Sequence, residues 1–221
     1  YSKYCTLSFC SWKRRRCYGV EIHIREYFER MHDNALRMFK AIGIKNGVLM
    51  LSAFYKDGEF YVYDTGFRLQ GEAPHILMNA IHGFDQREML INFALTGSEG
   101  NMDLQELDDP YFHGKWAATL WFLLKKGTIC KIKGFEQIED DVRVIANIQR
   151  LYENDEVRDE WIGTEKQVMT RIYLVCDSKM ELAEALAEYM EKVEVIDAEG
   201  NNMLLRGFDV KKALGLDKDG E

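Results

Sequence analysis

Two extended runs on either side of Asp57-Gly58 constrain this chain more than any other feature of it. Residues 48–55 and 60–63 are aromatic-rich and alternate, and Asp-Gly between such runs predicts a β-hairpin. The central residues of its tight turn need φ > 0, which this pair tolerates. Asp64 ends the second run, and Thr65-Gly66-Phe67-Arg68-Leu69-Gln70-Gly71-Glu72 follows. A carboxylate at a strand end and an arginine four residues later reach one cleft. The carboxylate suits Mg²⁺, a hard cation that prefers oxygen and keeps several waters. The guanidinium suits a phosphoryl group or a substrate carboxylate through bidentate donors. Gly66 and Gly71 let backbone approach a ligand closely. The plain alternative is an Asp64–Arg68 ion pair closing a surface loop.

The surrounding pattern alternates irregularly between helix and strand. Ile24, Phe28, Met31, Ala35, Met38, Phe39 and Ile42 recur at three- and four-residue spacing, predicting a helix over 21–42 that Gly43 terminates. Residues 75–84 and 86–95 read as helical, ending at Gly97, and Asp108-Asp109-Pro110 reads as a linker. The apolar run 116–124 suits a buried helix, 128–132 is strand-like, and 136–165 is acidic. Residues 171–176 form a strand. Ser178 caps a helix with Glu181 completing a capping box, and Leu182, Leu186, Met190 and Val193 make its buried stripe. Without regular βαβ alternation the fold class is α+β with antiparallel sheet. The organisation expected is a short upstream remnant or disordered arm (1–20), a first domain (21–109) and a smaller α/β C-terminal extension (110–221).

Of the 221 residues, 47% are hydrophobic and 30% charged, a balance that buries a core and excludes disorder. The net charge of −8 argues against nucleic acid as the main partner. No apolar run approaches the roughly 18–20 residues of a membrane span, and no signal peptide is visible, so a cytoplasmic location is expected. The chain starts on Tyr1 rather than Met, so a true N-terminus is expected upstream. Five cysteines, odd in number and without a CxxC pair, read as free structural thiols and not as a zinc site. Lys3, Trp12, Lys13, Arg14, Arg15 and Arg16 stand apart from the rest. They read as a nucleic-acid arm or, better, as the end of a domain cut off upstream.

Residues 47–54 (GVLMLSAF), 57–64 (DGEFYVYD), 66–69 (GFRL) and 71–72 (GE) resemble the C-terminal lobe of ATP-grasp enzymes. The loop Asp64-x-Gly66-x-Arg68-x-x-Gly71 is most similar to the carbamoyl-phosphate-synthase-like or carboxylate–amine ligase branch. Residues 35–47 (ALRMFKAIGIKNG) look like the helix and turn that precede this hairpin in the family. The resemblance is strong over 21–97 and looser to the end. It implies a ligase that uses ATP and Mg²⁺ to join a small-molecule carboxylate to an amine through an acyl phosphate. Asp64 then matches the metal-binding carboxylate and Arg68 the arginine for the transferred phosphate. Gln70, Gly71 and Glu72 match the loop lining the acceptor pocket, with His75 just beyond as a substrate contact or a structural histidine. The family's other metal carboxylate aligns with Ser52, and its usual Asn with Gly66. A two-residue turn on Asp57-Gly58 puts Ser52 opposite Tyr63, whereas a three-residue loop puts it opposite Asp64, where it contacts a metal-bound water. The flexible lobe that carries lysines and the adenine hinge in the family has no counterpart here. A homo-oligomer or a partner chain supplying that lobe is expected. The rival reading is a catalytically silent module that keeps the lobe as a binding or regulatory surface.

Overall fold

The computed structural model describes residues 5–9, 24–45, 47–98, 100, 107, 109, 111–205 and 208–216. The basic run Lys13–Arg16 and most of the Asp108-Asp109-Pro110 linker lie outside them. Two compact units, Tyr1–Gly114 and Lys115–Glu221, divide the chain.

In the first unit, β1 (Cys5–Phe9), β2 (Leu49–Lys56) and β3 (Glu59–Gly66) form a sheet in that order. β1 runs parallel to β2, and β3 antiparallel. The predicted helix over 21–42 is two helices, α1 (Ile24–Arg30) and α2 (His32–Ala41). They meet at Met31, whose φ of −124° leaves the helical region. Gly43 ends α2 at φ 87°, a left-handed conformation that glycine adopts without a Cβ clash. Leu49, Leu51 and Ala53 project from one face of β2 onto Tyr27, Ala35 and Phe39 of the helices, forming the core. Each such buried large side chain contributes roughly 1.5–3 kcal/mol. Met50, Ser52 and Phe54 therefore point to the opposite face, since side chains alternate along a strand. α3 (His75–His82) and α4 (Gln86–Thr96) follow the hairpin, with Phe84 and Met89 as a smaller core.

In the second unit, β4 (Trp116–Leu123), β7 (Val144–Gln149) and β9 (Val168–Cys176) form an antiparallel sheet in the order β4-β9-β7. The run expected to be a buried helix is thus the strand β4. An unbroken apolar run fits either a buried helix or a buried strand, and here pairing with β9 along its length decides. Around the sheet lie β5 (Gly127–Thr128) paired with β8 (Glu156–Val157), and β6 (Lys131–Lys133) paired with β10 (Glu194–Ile196). The helices of this unit are α5 (Glu136–Glu139), α6 (Lys179–Lys192) and α7 (Val210–Leu214). At the start of α6 the Glu181 N–H donates to Ser178 Oγ (3.1 Å), and Glu181 Oε2 accepts from the Asp177 N–H (2.8 Å). The capping bonds form, with the return bond one residue earlier than in the usual box. Leu182, Leu186 and Tyr189 bury the inner stripe of α6.

A polar clasp ties the turn before β7 to α6. Arg143 grips Asp141 through Nε (2.9 and 3.1 Å) and Nη2 (2.5 Å), and the Tyr189 hydroxyl donates to Asp141 Oδ2 (2.5 Å). The guanidinium beside it holds the Asp141 carboxyl well below the usual carboxylate range. Burial and the same carboxylate push the Tyr189 phenol well above its ordinary value of 10. Among the described residues, no helix is long and apolar enough to cross a membrane.

Candidate active site

The hairpin turn is the tight one that Asp-Gly predicts. Lys56 pairs with Glu59, and Asp57 (φ 54°) and Gly58 (φ 84°) occupy the two central positions in left-handed conformations. Arg30 of α1 donates to the Gly58 carbonyl at 2.6 Å and fastens the turn to the helix layer. The register from the turn runs Tyr55↔Phe60, Phe54↔Tyr61 and Ala53↔Val62, then shifts to Ser52↔Asp64. Tyr63 is the extra residue, a β-bulge in β3. Neither alternative holds as stated: the turn has the two residues of the first, yet Ser52 stands opposite Asp64 as in the second, because of the bulge. The bulge changes which face the rest of the strand presents. It puts Asp64 and Gly66 on the face of Met50, Ser52 and Phe54, and the Tyr63 ring stacks on Phe54 with centroids 4.5 Å apart.

Ser52 is buried, whereas Asp64 and Arg68 are exposed. No ion pair joins Asp64 to Arg68, and among the described residues the Asp64 side chain has no partner. Arg68 Nη1 donates only to the neighbouring Leu69 carbonyl, at 3.0 Å. The surface ion pair, the plain alternative, is absent. An acceptor and a fork of donors are left available on one side of the hairpin.

After Arg68 the chain turns between Gln70 and Ala73, with the Ala73 N–H donating to the Gln70 carbonyl at 3.2 Å. Gln70 is buried, Glu72 half-buried and Gly71 exposed. A β-carbon at Gly71 would meet nothing within 4 Å, so packing does not require a glycine there. Ala73 has φ 57°, a strained position for a residue with a Cβ. His75 opens α3 and is buried, and its Nδ1 has no hydrogen-bond partner. Burial, reinforced by the nearby Arg87, lowers its pKa below 6.5 against the opposing pull of Asp85, so it is neutral at pH 7. Asp85 caps α4, accepting from the Arg87 N–H at 2.8 Å, and the same arginine's side chain holds its carboxyl below the usual range.

Sequence reasoning did not single out Met50, which pairs with Gly66 on this face, or the left-handed backbone at Ala73. Met50 carries a signal in hindsight, since it is two residues before Ser52 and so on the same face. Among the described residues, no cluster of three or more His, Cys, Asp or Glu side chains is arranged to hold a metal. The donors on this face are one exposed carboxylate and one hydroxyl. Mg²⁺ is commonly held by one or two carboxylates together with waters and a nucleotide's phosphates, so this lean set fits it.

No protein-family model matches the sequence, and no curated protein sequence matches it. Solved structures do match. A phosphoribosylglycinamide synthetase from Anaerococcus prevotii is similar over 82% of this chain and 44% of its own, at 15% identity and TM-score 0.63. An L-amino acid ligase from Bacillus licheniformis is similar over 82% and 45%, at 18% identity and TM-score 0.64. The biotin carboxylase domain of 2-oxoglutarate carboxylase from Hydrogenobacter thermophilus, solved with MgADP, ADP and bicarbonate, is similar over 92% and 42%, at 12% identity and TM-score 0.59. These likenesses establish the fold: the chain carries the mixed α and β architecture of ATP-grasp enzymes that its hairpin and loop resemble. It spans less than half the length of each of these structures.

Proposed function

We propose that the chain is the C-terminal part of an ATP-grasp ligase, in which the β2–β3 hairpin binds the phosphates of ATP and its magnesium. The observation that carries this reading is the placement of a partner-free Asp64 opposite Ser52, with the unpaired Arg68 guanidinium on the loop that follows. Asp64 would hold the metal, with the Ser52 hydroxyl opposite it as a further oxygen donor. When bound, magnesium neutralises the phosphate charge. Arg68 orients the phosphoryl group by bidentate donation and stabilises the charge that builds on it during transfer. Gln70, Gly71, Glu72 and His75 line the side from which the acceptor arrives. The product class is a carboxylate joined to an amine through an acyl phosphate, as expected from the resemblance and in keeping with the likeness to an L-amino acid ligase. Small-molecule substrates in the cytoplasm, and the remaining half of the nucleotide cleft supplied by further sequence or another subunit, complete the reading.

A catalytically silent module is the second reading. It is favoured by Ser52 and Gly66, which stand where the family places a carboxylate and an amide. Thermal shift with Mg·ATP on this chain and on the natural full-length protein, followed by ADP release with candidate carboxylate and amine pairs, separates the two. Nucleotide binding with ADP release supports the ligase, and binding alone supports the silent module. Absence of any thermal shift in both forms removes the ATP site altogether.

A further inference from the structure

We propose that His82 and His113 form an acid-sensitive catch. At neutral pH both rings hold the Leu107 carbonyl and pin the turn 111–114 to the end of α3, and acidification releases it. The catch belongs to the first unit and is independent of any ATP site.

The turn needs holding. Phe112 (φ 56°) and His113 (φ 51°) are left-handed although neither is glycine, and Gly114 (φ 77°) follows. Side chains other than glycine keep such conformations only where their surroundings impose them. Asp109 supplies part of the restraint. Its carboxylate accepts from the Tyr111 and His113 N–H groups, both at 2.9 Å, and its carbonyl accepts from the Phe112 N–H at 2.9 Å. The contact with α3 supplies the rest. His82 ends that helix and is only 4% exposed. Its ring stacks on Phe84 with centroids 5.8 Å apart and meets Phe112 edge-on at 5.7 Å. Leu107 packs against the small core of Phe84 and Met89, and its carbonyl oxygen stands 3.3 Å from His82 Nδ1 and 3.0 Å from His113 Nε2.

A carbonyl oxygen only accepts, so both of those ring nitrogens carry protons. The neutral His82 is therefore the Nδ1–H tautomer and the neutral His113 the Nε2–H tautomer. An added proton must go to the other nitrogen of each ring, and the two sites differ. On His113 that is Nδ1, which lies 3.7 Å from the Asp109 carboxylate on a ring that is half-exposed. On His82 it is Nε2, a buried atom. The ring centroids are 5.2 Å apart, so a charge on His82 is both desolvated and set beside that on His113. The titratable groups that act on His82 are His113 and Asp109, both from the turn; Phe84 and Phe112 meet it without charge. Burial lowers its pKa below 6.5, with His113 adding to the effect and the Leu107 carbonyl and Asp109 opposing it. A histidine with a depressed folded pKa gives its full stabilisation above 6.5, and this is lost as pH falls below.

Backbone hydrogen exchange on the natural full-length protein tests the catch, expressed as protection factors so that the intrinsic pH dependence of exchange cancels. Between pH 7.5 and 5 the Tyr111 and His113 amides should lose about tenfold in protection, the effect of one proton taken up on release. Amides of the β4–β9 pair should stay protected over the same range. His82→Phe keeps an aromatic ring against Phe84 and Phe112 but takes no proton, so its loss should be under about twofold. If that variant does not hold the turn even at pH 7.5, His113→Gln decides. It retains a side-chain N–H donor without a charge and should move the release to lower pH. Flat protection in the wild type, the full tenfold loss in His82→Phe, or a His113→Gln midpoint equal to that of the wild type overturns the catch.

Discussion

Ser52 and Asp64 face each other across the hairpin only because Tyr63 is an extra residue in β3. Without that bulge, the two-residue turn at Asp57-Gly58 would put Ser52 opposite Tyr63 and turn Asp64 toward the helix layer. This relationship makes a metal-sensitive substitution possible. In Ser52→Asp two carboxylates stand directly opposite, one of them at a buried position, so like-charge repulsion and desolvation together lower stability. The variant should melt below wild type in EDTA and recover in millimolar magnesium. A melting curve indifferent to magnesium would show that the two positions do not converge.

The Asp141–Arg143–Tyr189 clasp predicts how the second unit responds to pH. Asp141's folded pKa is depressed, so its stabilisation is complete above the unfolded carboxylate value of 3.8 and is lost as pH falls below it. Tyr189's folded pKa is raised, so its contribution is complete below 10 and is lost as pH rises beyond. Asp141→Asn should flatten the acid limb of a stability–pH curve measured by urea denaturation. Tyr189→Phe should cost about 1.5–3 kcal/mol at neutral pH, the range for a hydrogen bond to a charged group. Wild-type and Asp141→Asn curves that run parallel through the acid limb, with no convergence as pH falls, contradict the clasp.

Gly134 and Gly163 form a matched pair. Both have left-handed φ, 73° and 82°, so alanine is strained at either. At Gly134 a β-carbon would also collide with the Lys192 carbonyl oxygen at the end of α6, whereas at Gly163 it meets nothing within 4 Å. Gly163→Ala should cost about 1–2 kcal/mol from backbone strain alone. Gly134→Ala should cost distinctly more, and denaturant midpoints will show the difference. Equal losses would mean that Lys192 moves aside freely.

The thiols should separate by reactivity. Cys176 is buried in β9, and burial pushes its pKa up to about 11, so almost none is thiolate at neutral pH. Cys130 is exposed. Iodoacetamide at pH 8 followed by peptide mass mapping should label Cys130 within minutes, and Cys176 only after denaturant is added. Labelling of both at similar rates would indicate that β9 opens readily.

The fold is legible in the sequence where local chemistry decides the structure. Asp57-Gly58 specifies the turn, and Ser178 with Glu181 marks the start of α6, because turn and cap preferences involve a few neighbouring residues. The run 116–124 reads wrongly as a helix because apolar continuity alone does not distinguish a helix from a strand whose pairing partners are 45 to 60 residues away. β7 is hidden inside the acidic stretch because several of its side chains are only half-buried and its alternation is weak. At the site, residue type and spacing single out Asp64 and Arg68. They do not reveal the bulge, because which residue a strand extrudes depends on packing across both faces. The Phe67 ring lying over Gly47 is equally invisible, since a glycine's spatial neighbours are not written beside it in sequence.

The proposed role of Asp64 as the metal-holding residue of an ATP site is open to one direct measurement. Calorimetric titration of ATP into the natural full-length protein, with magnesium and with EDTA, is compared with the same pair of titrations on Asp64→Asn. Tight binding that requires magnesium in the wild type, and weaker binding that no longer responds to magnesium in Asp64→Asn, is the result predicted. A wild-type protein that binds ATP equally well in EDTA, or an Asp64→Asn protein with undiminished magnesium dependence, contradicts it.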